Sequence, residues 1–410
     1  MAAVRSGRCS LLDMGLQPAF YATRLRAELA LRNRSYARGR AHVESYGSAP
    51  VIVYAPEHPA DDDLPAGTPA EGGRHGNFFD ASYAAIAARP EWMRRFGKVH
   101  AQAARSLPKP QLDPTRRWRE LDSCMSSDAL LMNIFCAPGV AESTLVRDAL
   151  GVEEDVAPVF GWKARVPLER FQSSRGVSGP AKGGVFSRKT PLGSPVPGKS
   201  NSGTAEANGR FDRTEIDMRF GSLLVEAKLT EAGFQSRAAP VVEAYRDFDT
   251  VFDRDLLPRT EIATTRWIEA GEFPENQSQE LESLVGDPAL FSAVETSFRA
   301  PGESGYASYQ LIRGVLAAHA AECCFCVLHD ERRPDLREEW YQVMAAVRSA
   351  ALRVRLKVLT WQELAALLPN ALQDFLDQKY GIVAPGESPS PINEATGPKA
   401  EVTDPEAAGL

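Results

Sequence analysis

Apolar and polar residues alternate most regularly between residues 214 and 231, TEIDMRFGSLLVEAKLTE. On a period of two, Ile216, Met218 and Phe220 line up with Leu223, Val225 and Ala227, while Glu215, Asp217, Arg219, Glu226 and Lys228 point the other way. Gly221-Ser222 lies between the two runs, and Gly at the first central position suits a two-residue type II′ turn. The stretch therefore predicts a hairpin in which Phe220 faces Leu223, Met218 faces Val225, Asp217 faces Glu226 and Glu215 faces Lys228. Only Leu224 breaks the pattern.

The surrounding pattern predicts helices and strands in turn. Residues 82–105 predict two helices, with Ser82 a cap for the first and Pro90 opening the second. SSDALLMNIFC predicts a core helix capped by Ser126 or Ser127, with Leu130, Leu131, Ile134 and Phe135 as its apolar stripe. VFGWKARVPL, residues 159–168, predicts a strand that Pro167 ends. Beyond the hairpin, residues 241–300 look helical and irregular, and residues 305–320 predict a helix. CCFCVLHD then predicts a buried strand, residues 335–352 a helix, RVRLKVLT a strand with Val354, Leu356 and Val358 on one side, and WQELAALL a closing helix. This is an α/β plan with a mixed central sheet flanked by helices, preceded by a helical, basic N-terminal region.

Composition divides the chain further. Residues 1–74 form an Arg-rich, partly flexible start; 75–381 are the main domain, with a core over 120–370; and 382–410 are an acidic tail expected to be disordered. A Gly-, Ser- and Pro-rich stretch over 173–209 carries Arg175, Lys182, Arg188, Lys189 and Lys199 and predicts a mobile basic loop within that domain. With 43% hydrophobic and 25% charged residues in 410, the balance is that of a globular protein. No apolar run is long enough to span a bilayer and the first residues lack a signal-like apolar segment, so a cytoplasmic protein without a membrane partner is expected. Six cysteines without CxxC spacing predict buried thiols rather than a zinc site or a disulfide framework.

A formal charge of −7 argues against a nucleic-acid coat protein, yet the basic residues are segregated, first over the opening forty residues and again from Arg94 to Arg119. Arg94 and Lys98 fall on one helical face, which is either a solvated face or a phosphate-contacting one.

The hairpin carries the candidate chemistry. An ion-paired, solvated face accounts for Glu215 opposite Lys228, but Asp217 opposite Glu226 is a like-charge pair. Such a pair is unfavourable by a few tenths to about 1 kcal/mol unless a cation or a shared proton intervenes. Two carboxylates and the backbone carbonyl of Ala227 make an oxygen-rich shell for a hard cation such as Mg²⁺, for which Mn²⁺ can substitute. Lys228 projects from the same face, where its ammonium can hold a water or a phosphate oxygen. The layout suits metal-assisted phosphodiester hydrolysis.

Asp217, eight intervening residues, then Glu226-Ala227-Lys228 across a hairpin resembles the PD-(D/E)XK nuclease superfamily, the restriction-endonuclease-like fold. Tyr306, Tyr309, Gln310 and Arg313 in YASYQLIRG resemble the Gln/Tyr-containing helix that follows the lysine in several members. With HGNFFDASYAAI, SSDALLMNIF and VLTWQEL, the chain over roughly residues 75–370 resembles a little-characterised bacterial group of restriction endonucleases. Ile216 stands where the motif has Pro. The resemblance implies a Mg²⁺-dependent nuclease acting on DNA that leaves 5′-phosphate and 3′-hydroxyl ends, and it is compatible with a homodimer. It assigns Asp217 and Glu226 to the metal, Lys228 to the attacking water and Gln310 to orientation. It also implies a further acid from an upstream element, for which Asp128 ranks ahead of Glu120, Glu142 and Glu169. Glu231, just beyond Lys228, either supports the metal ligands from behind or is simply solvated, and the solvated reading is preferred. Two other classes stand beside the nuclease: a DNA-binding protein of the same fold without activity, and a structural or interaction protein.

Overall fold

The computed structural model describes residues 18–44, 50–57, 73–98, 119–153, 155–169, 211–262 and 303–392, and every structural statement below concerns these. The basic loop 173–209, Cys9 and residues 99–118 and 263–302 lie outside them.

Five strands form the central sheet: β1 (Val159–Lys163), β2 (Glu215–Phe220), β3 (Leu223–Ala227), β4 (Cys324–His329) and β5 (Leu356–Thr360), in the order β5-β4-β3-β2-β1. β1, β2 and β3 are antiparallel neighbours, whereas β4 runs parallel to both β3 and β5. The sheet is thus mixed, as expected.

One face is covered by α1 (Pro18–Tyr36), α4 (Ser127–Phe135), α5 (Thr144–Leu150), α8 (Trp361–Ala365) and α9 (Asn370–Tyr380), numbered with α2 (Asp80–Ala87) and α3 (Pro90–Met93) in chain order. Their Leu25, Ile134, Val146, Trp361 and Leu376 pack on Met218, Val225, Cys326 and Leu328. The other face is covered by α6 (Tyr309–Ala320) and α7 (Pro334–Ala346), whose Ile312, Val315, Trp340 and Val343 pack on Leu224, Phe325 and Val327. Every residue of β3 is buried, as in a strand covered on both faces. Leu224 broke the alternation because the second face of the hairpin is a core face too.

Several elements depart from their expected form. Ser82 lies inside α2 and donates its hydroxyl to the Asn133 carbonyl at 2.6 Å; Phe79 occupies the cap position. Pro90 opens α3 as expected, but the helix gives way after one turn to a 3-10 turn over Arg94–Gly97, because Trp92 and Phe96 bury into a cluster with Phe78 and Met132. α6 begins at Tyr309, since residues 303–306 pair as a strand with 237–238 and 259–262. The helix expected over 335–352 breaks at Val347, and Val354, expected in the last strand, ends a short helix and is exposed. Ile216 packs with Leu224 rather than with Met218, because the β2–β3 ladder ends at Met218 and the start of β2 is gripped by α6. WQELAALL is not the closing helix: α9 follows, and its amphipathic face packs on α1. α1 places Leu25 and Leu29 in the same core as the sheet. Part of the expected disordered tail is fixed, with Ile382 buried and the Ser390 carbonyl accepting from Arg32 at 3.1 Å. The thiols of Cys124, Cys136, Cys323 and Cys326 are buried and free, as the lack of CxxC spacing predicted.

Candidate active site

The hairpin forms in the predicted register. Phe220 pairs with Leu223 and Met218 with Val225, and Gly221 takes φ 58°, the positive value that a primed turn needs. The ladder stops three pairs earlier than expected, after Met218 and Val225. The Asp217 side chain takes the place of the next strand bond, accepting from the Ala227 N–H at 2.8 Å. On its other edge β3 is bonded to β4, with Lys228 N–H donating to the Leu328 carbonyl at 2.8 Å. Asp217 and Glu226 are therefore neighbours across a gap in the ladder rather than a facing rung. In an extended strand a residue's N–H and C=O leave by the same edge, so the Ala227 carbonyl faces the Asp217 side as well.

Glu226 and Lys228 are 2% and 4% exposed and pair with each other, Nζ to Oε1, at 2.7 Å. The expected partnership of Lys228 with Glu215 does not form. Glu215 sits one step outside the gap and instead bonds Arg95 and Lys98. The Lys228 backbone is fixed on both sides, by Leu328 and by the Trp361 indole donating to its carbonyl at 2.9 Å. Just beyond, the buried Arg333 holds the Leu229 and Glu231 carbonyls at 3.3 and 2.7 Å and is itself forked onto Asp335.

Asp128 joins this group from the first turn of α4, whose N-cap Ser126 accepts from Ala129 N–H at 3.1 Å. Its Oδ2 accepts from Arg95 at 2.6 Å and lies 3.4 Å from the Lys98 ammonium. Glu120 reaches the same ammonium at 3.0 Å. Of the four upstream candidates the fold brings Asp128 and Glu120 to the site. Glu142 and Glu169 are exposed elsewhere. Glu231 is not simply solvated: it accepts from the Ser127 hydroxyl at 2.6 Å and from Leu229 N–H at 2.7 Å. Gln310 stands at the start of α6, where its N–H donates to the Phe234 carbonyl at 2.9 Å. The Phe234 ring lies under the Lys228 ammonium at 5.5 Å. The residues grouped with Gln310 by resemblance hold the fold: Arg313 grips the Thr214 and Glu215 carbonyls at 2.8 and 2.6 Å, and the Tyr309 and Tyr306 hydroxyls bond Tyr245 and Glu243.

The electrostatics follow from this crowding. Burial, then the charges of Glu226 and Asp128, push the Asp217 carboxyl well above the ordinary carboxylate range, and Lys228 offsets them only in part. Burial works against the Lys228 charge, but Glu226, Asp217 and Glu231 outweigh it and hold the ammonium above its usual value. Lys228 is therefore a fixed cation and not a proton acceptor at neutral pH.

Arg95 is the residue that the sequence pattern did not single out. It comes from the 3-10 turn after α3, is 8% exposed, and ties Asp128 to Glu215. The one available signal was its place in the basic stretch beside Arg94, which is exposed.

The donor chemistry fits a hard cation. Asp128 is bonded through Oδ2, Asp217 through Oδ2 and Glu226 through Oε1, so each carboxylate is anchored by one oxygen while the other bonds no described residue. Among the described residues no three His, Cys, Asp or Glu side chains gather closely enough to hold an ion alone. Mg²⁺ seldom requires that, being held commonly by one or two carboxylates with water and substrate oxygens completing the shell.

A five-stranded mixed sheet flanked by helices gives the chain a restriction-endonuclease-like core. The chain belongs to the family described as Restriction Endonuclease associating with ARP, whose model matches residues 31–381. That membership gives it a nuclease-like role. No curated protein and no solved structure matches the chain significantly. Among the described residues no helix is long and apolar enough to cross a membrane.

Proposed function

We propose that the protein is a Mg²⁺-dependent nuclease that hydrolyses phosphodiester bonds in DNA. Asp217, Glu226 and the Ala227 carbonyl would hold the ion, with Asp128 as the acid from another element. One observation carries this reading: three carboxylates from α4, β2 and β3 are each fixed by one oxygen and free at the other, beside a lysine that keeps its proton.

When bound, Mg²⁺ supplies positive charge against the attacked phosphate and makes a bound water more acidic. The protein does the rest by position. Lys228 donates, so it orients a water or a phosphate oxygen rather than abstracting a proton. Glu226 fixes the direction of that donation through its 2.7 Å bond. Asp217 keeps part of its surface open, so this acid marks the side from which substrate arrives. Gln310, at the α6 start next to Phe234, assists in orienting these groups or the substrate.

The test is incubation of supercoiled plasmid, linear duplex and single strand with Mg²⁺ or EDTA, using wild type, Asp217→Ala and Lys228→Ala. Cleavage in Mg²⁺ alone, lost in both variants and leaving 5′-phosphate ends, is expected. Cleavage in EDTA, or cleavage untouched by either substitution, overturns the assignment.

A further inference from the structure

Arg95 lies outside the hairpin and outside every residue assigned above to ion or substrate, yet its guanidinium bonds two acids of the cluster at once. Nη2 meets Asp128 Oδ2 at 2.6 Å and Nη1 bonds Glu215 Oε1, so one planar fork spans the helix acid and the β2 acid. The Asp128 bond is made in a nearly dry place, with Arg95 8% and the Asp128 side chain 5% exposed, whereas Glu215 is 32% exposed.

The sheet is shaped to admit this fork. Gly161 sits within β1 at φ 64°, where a Cβ would come 2.5 Å from Arg95 Nη1 and 3.2 Å from Glu215 Cδ. A left-handed glycine inside a strand weakens it and is retained where something must approach closely. Here the approaching group is the guanidinium. Phe96 and Trp92, buried on either side of Arg95, fix the turn from which it reaches. Lys98 touches the same acids but is 40% exposed, and it shares its ammonium among Glu120, Asp128 and Glu215.

We infer that Arg95 is a positioning residue for the metal site: by occupying Oδ2 of Asp128 it leaves Oδ1 to the ion, and Glu215 is its second anchor. The inference rests on the nuclease reading of Asp217 and Glu226. Arg95 itself is too enclosed to meet the substrate. Its effect has a sign that separates positioning from charge. If Arg95 were only a nearby cation, removing it would leave the cluster more negative and tighten divalent binding. If it positions Asp128, removing it weakens that binding.

The experiment is Mn²⁺ binding to the full chain without DNA, followed by the free-ion electron paramagnetic resonance signal and by calorimetry. Circular dichroism and thermal melting report on the fold. Arg95→Met is expected to weaken Mn²⁺ about 10- to 100-fold, the usual range for a group that orients a metal ligand. Arg95→Lys, which keeps the charge and loses the fork, is expected to weaken it by a smaller factor, as is Glu215→Gln. Asp217→Ala is the control for the site itself. Unchanged or tighter Mn²⁺ binding in Arg95→Met, with Asp217→Ala defective, overturns the positioning role and leaves the nuclease site standing. Wild-type binding in Asp217→Ala overturns the site. Should Arg95→Met fail to fold, Arg95→Lys and Glu215→Gln decide: wild-type affinity in both refutes the inference.

Discussion

Replacing Asp217 with Asn tests the acidic cluster through stability alone. The amide keeps an oxygen that can accept from Ala227 N–H, so the 2.8 Å bond and the shape survive while the charge goes. In the wild type without metal, the folded chain must either hold Asp217 ionised beside Glu226 and Asp128 or hold it protonated above its ordinary range. Both are costs that Asn does not bear. Two like-charged neighbours at a few tenths to about 1 kcal/mol each suggest that Asp217→Asn is more stable by about 1 kcal/mol in EDTA at pH 8. For a domain of about 300 residues that is about 1.5–2 °C in Tm.

The sign with pH follows from linkage. The folded pKa of Asp217 is raised, so folding takes up a proton between the unfolded and folded values, and wild-type stability falls as pH rises across that window. Below about pH 4 both states carry the proton and the advantage of Asn vanishes. Adding Mg²⁺ at about ten times its Kd should give the wild type about 1.4 kcal/mol and the variant much less. The assay is thermal or urea unfolding from pH 4 to 8, with EDTA or Mg²⁺. A variant less stable than wild type in EDTA at pH 8, or stabilised equally by Mg²⁺, refutes the reasoning.

Other outcomes are expected elsewhere. Arg333→Ala leaves buried Asp335 without its guanidinium and frees the Leu229 and Glu231 carbonyls, so a loss of about 3–5 kcal/mol in urea unfolding is expected, against under 1 kcal/mol for the exposed Arg353→Ala. Gly161→Ala is expected to cost at least about 1–2 kcal/mol from its left-handed backbone alone, measured by the same unfolding. Lys379 is fully buried and bonds Asn33 Oδ1 at 2.6 Å among the rings of Tyr54 and Tyr36; burial lowers its pKa to about 7. The unfolded lysine keeps its proton to higher pH, so this residue makes stability climb between about pH 7 and 10, and the climb should flatten in Lys379→Met.

The sequence made the hairpin legible because a period of two and a glycine turn leave a single register. It could not show where the ladder ends, since that depends on Asp217 bonding Ala227 and on β4 arriving beside β3 from a hundred residues away. Leu224 carried the signal: an apolar residue on a polar face marks a face that is itself covered, so that Glu226 and Lys228 are buried while Glu215 and Asp217 keep part of their surface open. Asp128 was legible because a capped apolar helix places it in a first turn. Arg95 was not, because a 3-10 turn inside a basic stretch has no pattern that separates its buried arginine from exposed Arg94. α9 was missed for a similar reason, as its partner α1 lies at the far end of the chain.

Arg32 bonds the Asp377 and Ser390 carbonyls, the latter across 358 positions. At a synthesis rate of about 5–20 residues per second, α1 leaves the ribosome roughly 20–70 s before α9 and the segment after it exist. Through that interval Leu25 and Leu29 lack the α9 side of their packing. The nascent chain is then at its most vulnerable to aggregation and proteolysis, and the Lys228 backbone stays unfixed on its β4 side until Leu328 has been made. Slowing translation late in the message, rather than early, should therefore lower the yield of folded protein most.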